Sequence, residues 1–273
     1  MEEKLQLTKE DSYIFDKWKI TTLSSHIMGS KCESPIDCQS NNDSDSRKLC
    51  SVCLYESELK LPSVPDMIFS KNKMIIEHEN GGKIEFNALD ALKQVGDSPH
   101  DIEVAHAKVW QEARSECEFS KNVVKNYDWT FSTSYSGTLC KPLVSCDTDE
   151  RINLEKLKIP EEILFYKEIF LYEDELDDNG CTRCTVKVRV MPSGFFVVLR
   201  HYLRVDHVLI RVNDTRLYHE KGKEGILQET SSRHSPMNKL KVDVTTYKNP
   251  DLIWQYLSLI KEKFCKILPQ EGI

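Results

Sequence analysis

Thr185-Val186-Lys187-Val188-Arg189-Val190-Met191-Pro192-Ser193-Gly194-Phe195-Phe196-Val197-Val198-Leu199-Arg200-His201-Tyr202-Leu203-Arg204-Val205 is the stretch that decides the fold. Val186, Val188 and Val190 alternate with Lys187 and Arg189. After the turn residues Pro192-Ser193-Gly194, one face carries Phe195, Val197, Leu199, Leu203 and Val205, and the other carries Phe196, Val198, Arg200, Tyr202 and Arg204. A period of two is the signature of a β-strand. Further turn signals at Asp177-Asp178-Asn179-Gly180, Asp206-His207 and Asn213-Asp214-Thr215 punctuate the span from Glu168 to Glu220, which reads as a meander of antiparallel strands.

Outward from the meander the pattern is mixed. Tyr13 to Ile20 is aromatic-rich with polar residues between and reads as one short strand. Lys73 to His78 and Lys83 to Phe86 flank Asn80-Gly81-Gly82, a tight-hairpin sequence because Asn-Gly accepts positive φ. Asn87 can cap a short helix through Val95, and Asp101 another with Val104, Ala107, Trp110 and Ala113 on one face. Tyr127, Trp129, Phe131 and Tyr135 alternate as in a strand. Residues 221–248 read as polar and irregular. Asn249-Pro250-Asp251 then opens a final helix with Leu252, Tyr256, Leu257, Ile260, Phe264 and Ile267 as its apolar stripe. The expected fold class is α+β, an antiparallel β meander or sheet core with helices packed around it. It forms a single domain over residues 1–273 with a polar inserted loop at about 30–58, where Ser40 to Ser46 is too polar to bury.

Composition narrows the function classes. With 30% charged and 40% hydrophobic residues the chain has the balance of a globular protein. A net charge of −7 argues against a general grip on nucleic acid, which needs clustered cations. No apolar run approaches the roughly 20 residues that span a bilayer, so no membrane partner is expected. The N-terminus lacks the basic start and apolar stretch of a secretory signal, so the protein is expected to be cytoplasmic and its ten cysteines to be reduced thiols.

The motifs of catalysis are missing: there is no Gly-x-Ser-x-Gly elbow, no His-Glu-x-x-His pair and no phosphate-cradling glycine loop. The acidic cluster around Glu173-Asp174-Glu175 lacks the alternating ligands of a calcium loop. Cys50-Ser51-Val52-Cys53 and Cys181-Thr182-Arg183-Cys184 both match Cys-x-x-Cys, and Cys32 with Cys38 could complete a four-thiolate zinc site with the first pair. The Cys32-x5-Cys38 spacing is not that of a common zinc module, so no metal or cofactor is expected. A zinc- or thiol-dependent redox protein built on these pairs stands as the alternative reading.

Longer runs carry a resemblance. They are Trp18-Lys19-Ile20 with His26-Ile27-Met28, Leu61-Pro62-Ser63-Val64-Pro65-Asp66-Met67, Ile84-Glu85-Phe86-Asn87-Ala88-Leu89-Asp90-Ala91-Leu92, and Tyr127-Asp128-Trp129-Thr130 leading to Gly137-Thr138. Leu171 to Leu176, Val186 to Ser193, Phe195-Phe196 and Asn213-Asp214-Thr215-Arg216-Leu217-Tyr218-His219-Glu220 follow in the same order. In order and spacing, from Trp18 to Leu268, the chain resembles the TIPRL family of TOR-signalling-pathway-regulator-like proteins. The resemblance implies a non-enzymatic regulator that binds and restrains the catalytic subunits of type 2A-like serine/threonine phosphatases. These comprise type 2A and its type 4 and type 6 relatives, recognised together with their C-terminal tail, in a role linked to TOR signalling. It implies partner contacts at Asp90, near Ile152, and at a turn formed by Val212, Asn213 and Asp214, where Val212 replaces a methionine of some relatives. Residues 30–58 exceed the family counterpart.

The arginines of the meander leave two outcomes open. Arg200 and Arg204, with Arg189 and Arg211, could line a cationic groove for a tail carboxylate, since guanidinium binds carboxylate in bidentate fashion. Alternatively they pair with Asp and Glu of neighbouring strands. Register, which sequence does not show, decides.

Overall fold

The structure is a computed structural model that describes residues 8–32, 38, 49–59, 61–96 and 128–270. The helix expected from Asp101 with Val104 and Trp110 lies outside the described residues, as does Tyr127. The meander forms, though without the break expected at Asn213-Asp214-Thr215: β8 (Phe165–Asp174), β9 (Gly180–Met191), β10 (Gly194–Val205) and β11 (Leu209–Glu220) pair consecutively and antiparallel. It continues into β12 (Ile226–Pro236) and β13 (Ser258–Pro269), and is completed by β3 (Met67–Ile68) at one edge and β7 (Leu143–Asp147) at the other. This eight-stranded sheet lies against a second, five-stranded one of β1 (Lys9–Phe15), β2 (Trp18–Ser24), β4 (Lys73–His78), β5 (Lys83–Asn87) and β6 (Thr138–Cys140).

One core runs between the sheets, and the alternation of the sequence builds it. Val186, Val188, Val190, Phe195, Val197, Leu199 and Leu203 are buried from the large sheet, and Trp18, Ile20, Met74, Ile76, Ile84 and Phe86 from the small one. Aromatic edges cross the interface: Phe15 meets Phe195 at 6.1 Å between ring centroids and Trp18 meets His219 at 5.9 Å. Contacts of this kind add to the area term by about 0.5–1.5 kcal/mol each. The chain is a single α+β domain with few helices. None of the described helices is long and apolar enough to cross a membrane.

The Asn80-Gly81 hairpin is confirmed, with Gly81 at φ +89°. So is the cap at Asn87, whose side chain accepts from the Asp90 N–H at 2.8 Å and starts α2 (Ala88–Lys93). Before it in the chain, residues 51–58 of the expected polar loop form α1 (Ser51–Glu58), whose Tyr55 reaches the core.

Other expectations are corrected. Tyr13 to Ile20 is not one strand but parts of β1 and β2 around Asp16-Lys17, since Asp16 takes φ +55° and reverses the chain. Residues 128–136 pack without joining a strand, because Thr130, Ser132 and Thr133 are buried along with Trp129 and Phe131, so both parities face protein. Residues 221–248 are not irregular throughout, since β12 pairs with β11 and β13 along its length. The final long helix is absent. Asn249 does cap α5 (Pro250–Ile253), but a 3-10 turn at Trp254–Tyr256 follows and the chain enters β13, where pairing with β12 and β7 overrides the helical spacing. Two more short helices are α3 (Leu154–Lys158) and α4 (Val244–Tyr247).

Candidate functional site

Asn213-Asp214-Thr215 is not a turn. It lies in the middle of β11, hydrogen-bonded on both sides, with Asp214 opposite Arg200 of β10 and Ser231 of β12. Facing residues of an antiparallel pair point to the same side of the sheet. Arg200 and Asp214 therefore meet on the side away from the main core. Arg200 donates from Nε and Nη2 to the two Asp214 oxygens, both at 2.7 Å, and from Nη1 to Asp251 Oδ1 and Pro250 O, both at 2.8 Å. Arg216 adds a contact to Asp214 Oδ2 at 3.2 Å.

The central pair is shut off from water, with the Arg200 and Asp214 side chains 8% and 2% exposed, while Asp251 lies at the exposed rim. Burial disfavours both charges, yet pairing prevails. The guanidinium of Arg200, then that of Arg216, holds the Asp214 carboxyl below its ordinary pKa, and Asp214 with Asp251 holds Arg200 above its own. The covering comes from the segment after β12. Ile253 and Leu257 pack with Tyr202, Ile210 and Val212 in a second small core, and the Tyr202 hydroxyl donates to the Tyr247 carbonyl. Trp254 lies over the guanidinium groups of Arg216 at 4.5 Å and Arg233 at 5.5 Å. Asp251, in the first turn of α5, also receives Lys187 Nζ at 2.8 Å and so ties the helix to β9.

The same face carries Ile152 near its far edge. Ile152 is buried, and its N–H donates to Glu229 Oε1 at 2.7 Å; Glu229 faces Arg216 across β11 and β12. Arg151 pairs with Glu229 and Glu262, each at 3.5 Å, and lies 3.5 Å over the Phe264 ring. Exposed apolar side chains occur on the segments that carry these residues: Leu154 two residues after Ile152, Leu252 and Tyr256 on either side of Trp254, and Leu259 and Ile260 in β13. Apolar area beside fixed charge is the chemistry of protein recognition.

Not every expected residue belongs to the face. Asn213 points to the opposite side, where its Nδ2 donates to Thr133 O at 2.9 Å and its Oδ1 accepts from Ser232. Asp90 sits on that side too, half-buried on α2, where its Oδ2 accepts from Asn87 Nδ2 at 2.9 Å and from the Thr138 hydroxyl. One segment joins the two, because Thr133 Oγ1 donates to Ala91 O at 2.7 Å.

The four arginines do not form one groove. Arg211 faces Leu203 on the core side and donates to Ser132. Arg189 donates to Leu157 O, and Arg204 pairs with Asp206 at 2.7 Å. Arg200 and Arg204 are four strand residues apart, about 13 Å along β10. Cross-strand and local pairing is the outcome realised for Arg200. Arg204, held by Asp206, also lines a cavity of about 530 Å³ with His207, Met237, Val244, Tyr247 and Lys248.

Four of the nine described cysteines lie together. Cys32, Cys38, Cys50 and Cys53 converge, with all four sulfurs within 4.8 Å of one another. The Cys32-x5-Cys38 spacing does not keep these sulfurs apart. Cys184, by contrast, is buried singly in the core.

A family model described as the TIP41-like family matches residues 67–241, which takes in Asp90, Ile152, Arg200, Arg204 and Val212 to Asp214. The chain belongs to the TIP41-like family. The TIP41-like protein of Rattus norvegicus is 43% identical over 265 residues, 96% of this chain and 90% of its own length. That of Homo sapiens is 44% identical over 260 residues, 94% of this chain and 88% of its own. The relative from Saccharomyces cerevisiae named Type 2A phosphatase activator TIP41 is 38% identical over 195 residues, 65% of this chain and 55% of its own. The TIPRL resemblance read from the sequence is thus membership of the TIP41-like family.

Arg216, Glu229, Asp251 and Trp254 complete the face and were not singled out from sequence. Asp251 had a signal as part of the Asn249-Pro250-Asp251 cap, and Arg216 lies in the run from Asn213 to Glu220 that carries the resemblance.

Proposed function

We propose that this chain is a non-enzymatic regulator that binds the catalytic subunit of type 2A-like serine/threonine phosphatases, including type 4 and type 6 relatives. In this reading it lowers their turnover, in the cytoplasm and in connection with TOR signalling. The observation that carries the reading is the extended similarity to TIP41-like proteins, two of whose yeast members are named type 2A phosphatase activators. Their name speaks of activation, so the sign of the effect is the discriminating readout.

The contact residues divide by accessibility. Asp90 on α2 reaches the partner directly, as do the apolar side chains bordering Ile152 and Trp254. Asp214, Arg200 and Val212 are buried and act by holding the covering segment in place. Arg204, at the mouth of its cavity beside Lys248, takes the terminal carboxylate of the phosphatase tail. A pulldown of purified catalytic subunit, followed by phosphopeptide turnover with and without this chain, tests the reading. Capture with lowered turnover is expected. Capture with raised turnover overturns restraint, and no capture at micromolar concentration overturns binding.

A further inference from the structure

The segment that lies outside the match to the family model contains the densest cluster of metal-binding side chains among the described residues. Cys32 lies beyond the end of β2, and Cys38 follows after five residues. Cys50 is the N-cap residue of α1, and Cys53 lies in its first turn. Cys50 Sγ approaches Cys32 Sγ to 3.6 Å, and no pair among the four exceeds 4.8 Å. A tetrahedral zinc ion with Zn–S of about 2.3 Å separates its sulfurs by about 3.8 Å, so small side-chain adjustments bring all four into range.

The surroundings give the cluster a task. An eight-residue helix is too short to hold itself in water, and α1 sends only Tyr55 fully into the core. Toward α2 it has the contact of Tyr55 with the Leu89 backbone and an exposed ion pair between Glu58 and Lys93 at 2.8 Å. Such pairs contribute about 1 kcal/mol at most. A closed metal site adds to the anchoring that Tyr55 and Leu59 supply, by turning ligation energy into folding energy.

We propose that Cys32, Cys38, Cys50 and Cys53 hold one zinc ion as a closed tetrathiolate site that pins α1 against α2, beside Asp90. Four protein ligands leave no open position for water or substrate, so the site is structural, not catalytic. Soft thiolates in tetrahedral array select zinc or iron among the available metals, and elemental analysis separates the two. Binding releases the thiol protons, and no electron transfer is involved.

The full chain, purified under reducing conditions without chelator, is analysed by native mass spectrometry and elemental analysis. One zinc per chain is expected, released by a thiol-blocking mercurial with the loss of four titratable thiols. Zinc should be lost from the Cys50→Ser/Cys53→Ser variant and retained in Cys140→Ser, whose thiol is exposed and remote in sequence. If the double variant fails to fold, cobalt substitution of the wild-type chain decides, since a tetrathiolate gives intense visible ligand-field bands. The proposal is overturned if the chain carries no metal and all four thiols react freely in the native state. Stoichiometric iron, or two disulfides joining these cysteines, overturns it equally.

Discussion

Replacing Asp214 by Asn removes one charge from a buried pair while conserving shape. Arg200 would keep Asp251 Oδ1 and Pro250 O, both at 2.8 Å, but lose the carboxylate that neutralises it inside the sheet. Breaking a buried ion pair by removing one partner costs about 3–5 kcal/mol. The two surviving acceptors place Asp214→Asn at the lower end, about 3 kcal/mol. Equilibrium urea unfolding, followed by tryptophan fluorescence and circular dichroism together, measures this and checks two-state behaviour. The double variant Arg200→Met/Asp214→Leu should return to within about 1 kcal/mol of wild type, because a packed apolar pair replaces the desolvated charges. Asp214→Arg, which would seat three guanidinium groups together, should fail to fold and so cannot report on partner binding. A loss below about 1 kcal/mol for Asp214→Asn would refute the reasoning, since only a solvated pair is worth so little.

Other outcomes follow from the same geometry. The Asp214 pKa is lowered in the folded state, so its stabilisation is fully present above its unfolded value of about 3.9 and is lost as pH falls through the folded pKa. Acid unfolding of wild type should therefore fall more steeply below about pH 4 than that of Asp214→Asn. Asp90→Arg should weaken the phosphatase complex at least about tenfold while costing about 1 kcal/mol or less of stability, because the Asn87 cap remains; calorimetry beside thermal melting separates the two. Arg204→Glu should lower affinity for a phosphatase tail peptide most at low salt, measured by fluorescence anisotropy, whereas equal affinity at every ionic strength would remove Arg204 from the tail site.

The legible parts of the fold were those in which local chemistry and tertiary role agree. Valine alternation fixed the faces of β9, and Asn80-Gly81 fixed a hairpin whose turn needs positive φ. β12 escaped notice because Gln228 to Ser235 is polar on both faces, a composition tolerated where covering segments and pairing share the burial. β13 was misread because Leu257, Ile260, Phe264 and Ile267 match helical spacing. Only Cys265 and Ile267 of that strand are buried, and the alternation is too short to outvote the helix formers around it.

The site was less legible than the fold for a related reason. Asn-Asp-Thr is turn chemistry when read locally, and only the register opposite Arg200 shows why Asp214 belongs in a strand. Trp254 and Arg216 meet across about forty residues of sequence, with no pattern linking them. The four cysteines were visible as ligand types, but their convergence is a tertiary fact that spacing alone does not encode.

Binding itself is the most direct test of the central claim. Isothermal titration of the full chain into purified type 2A catalytic subunit should give a saturable one-to-one complex with Kd below about 1 μM, equivalent to about −8 kcal/mol. Absence of heat and of co-elution at tens of micromolar, with both proteins folded, would contradict it.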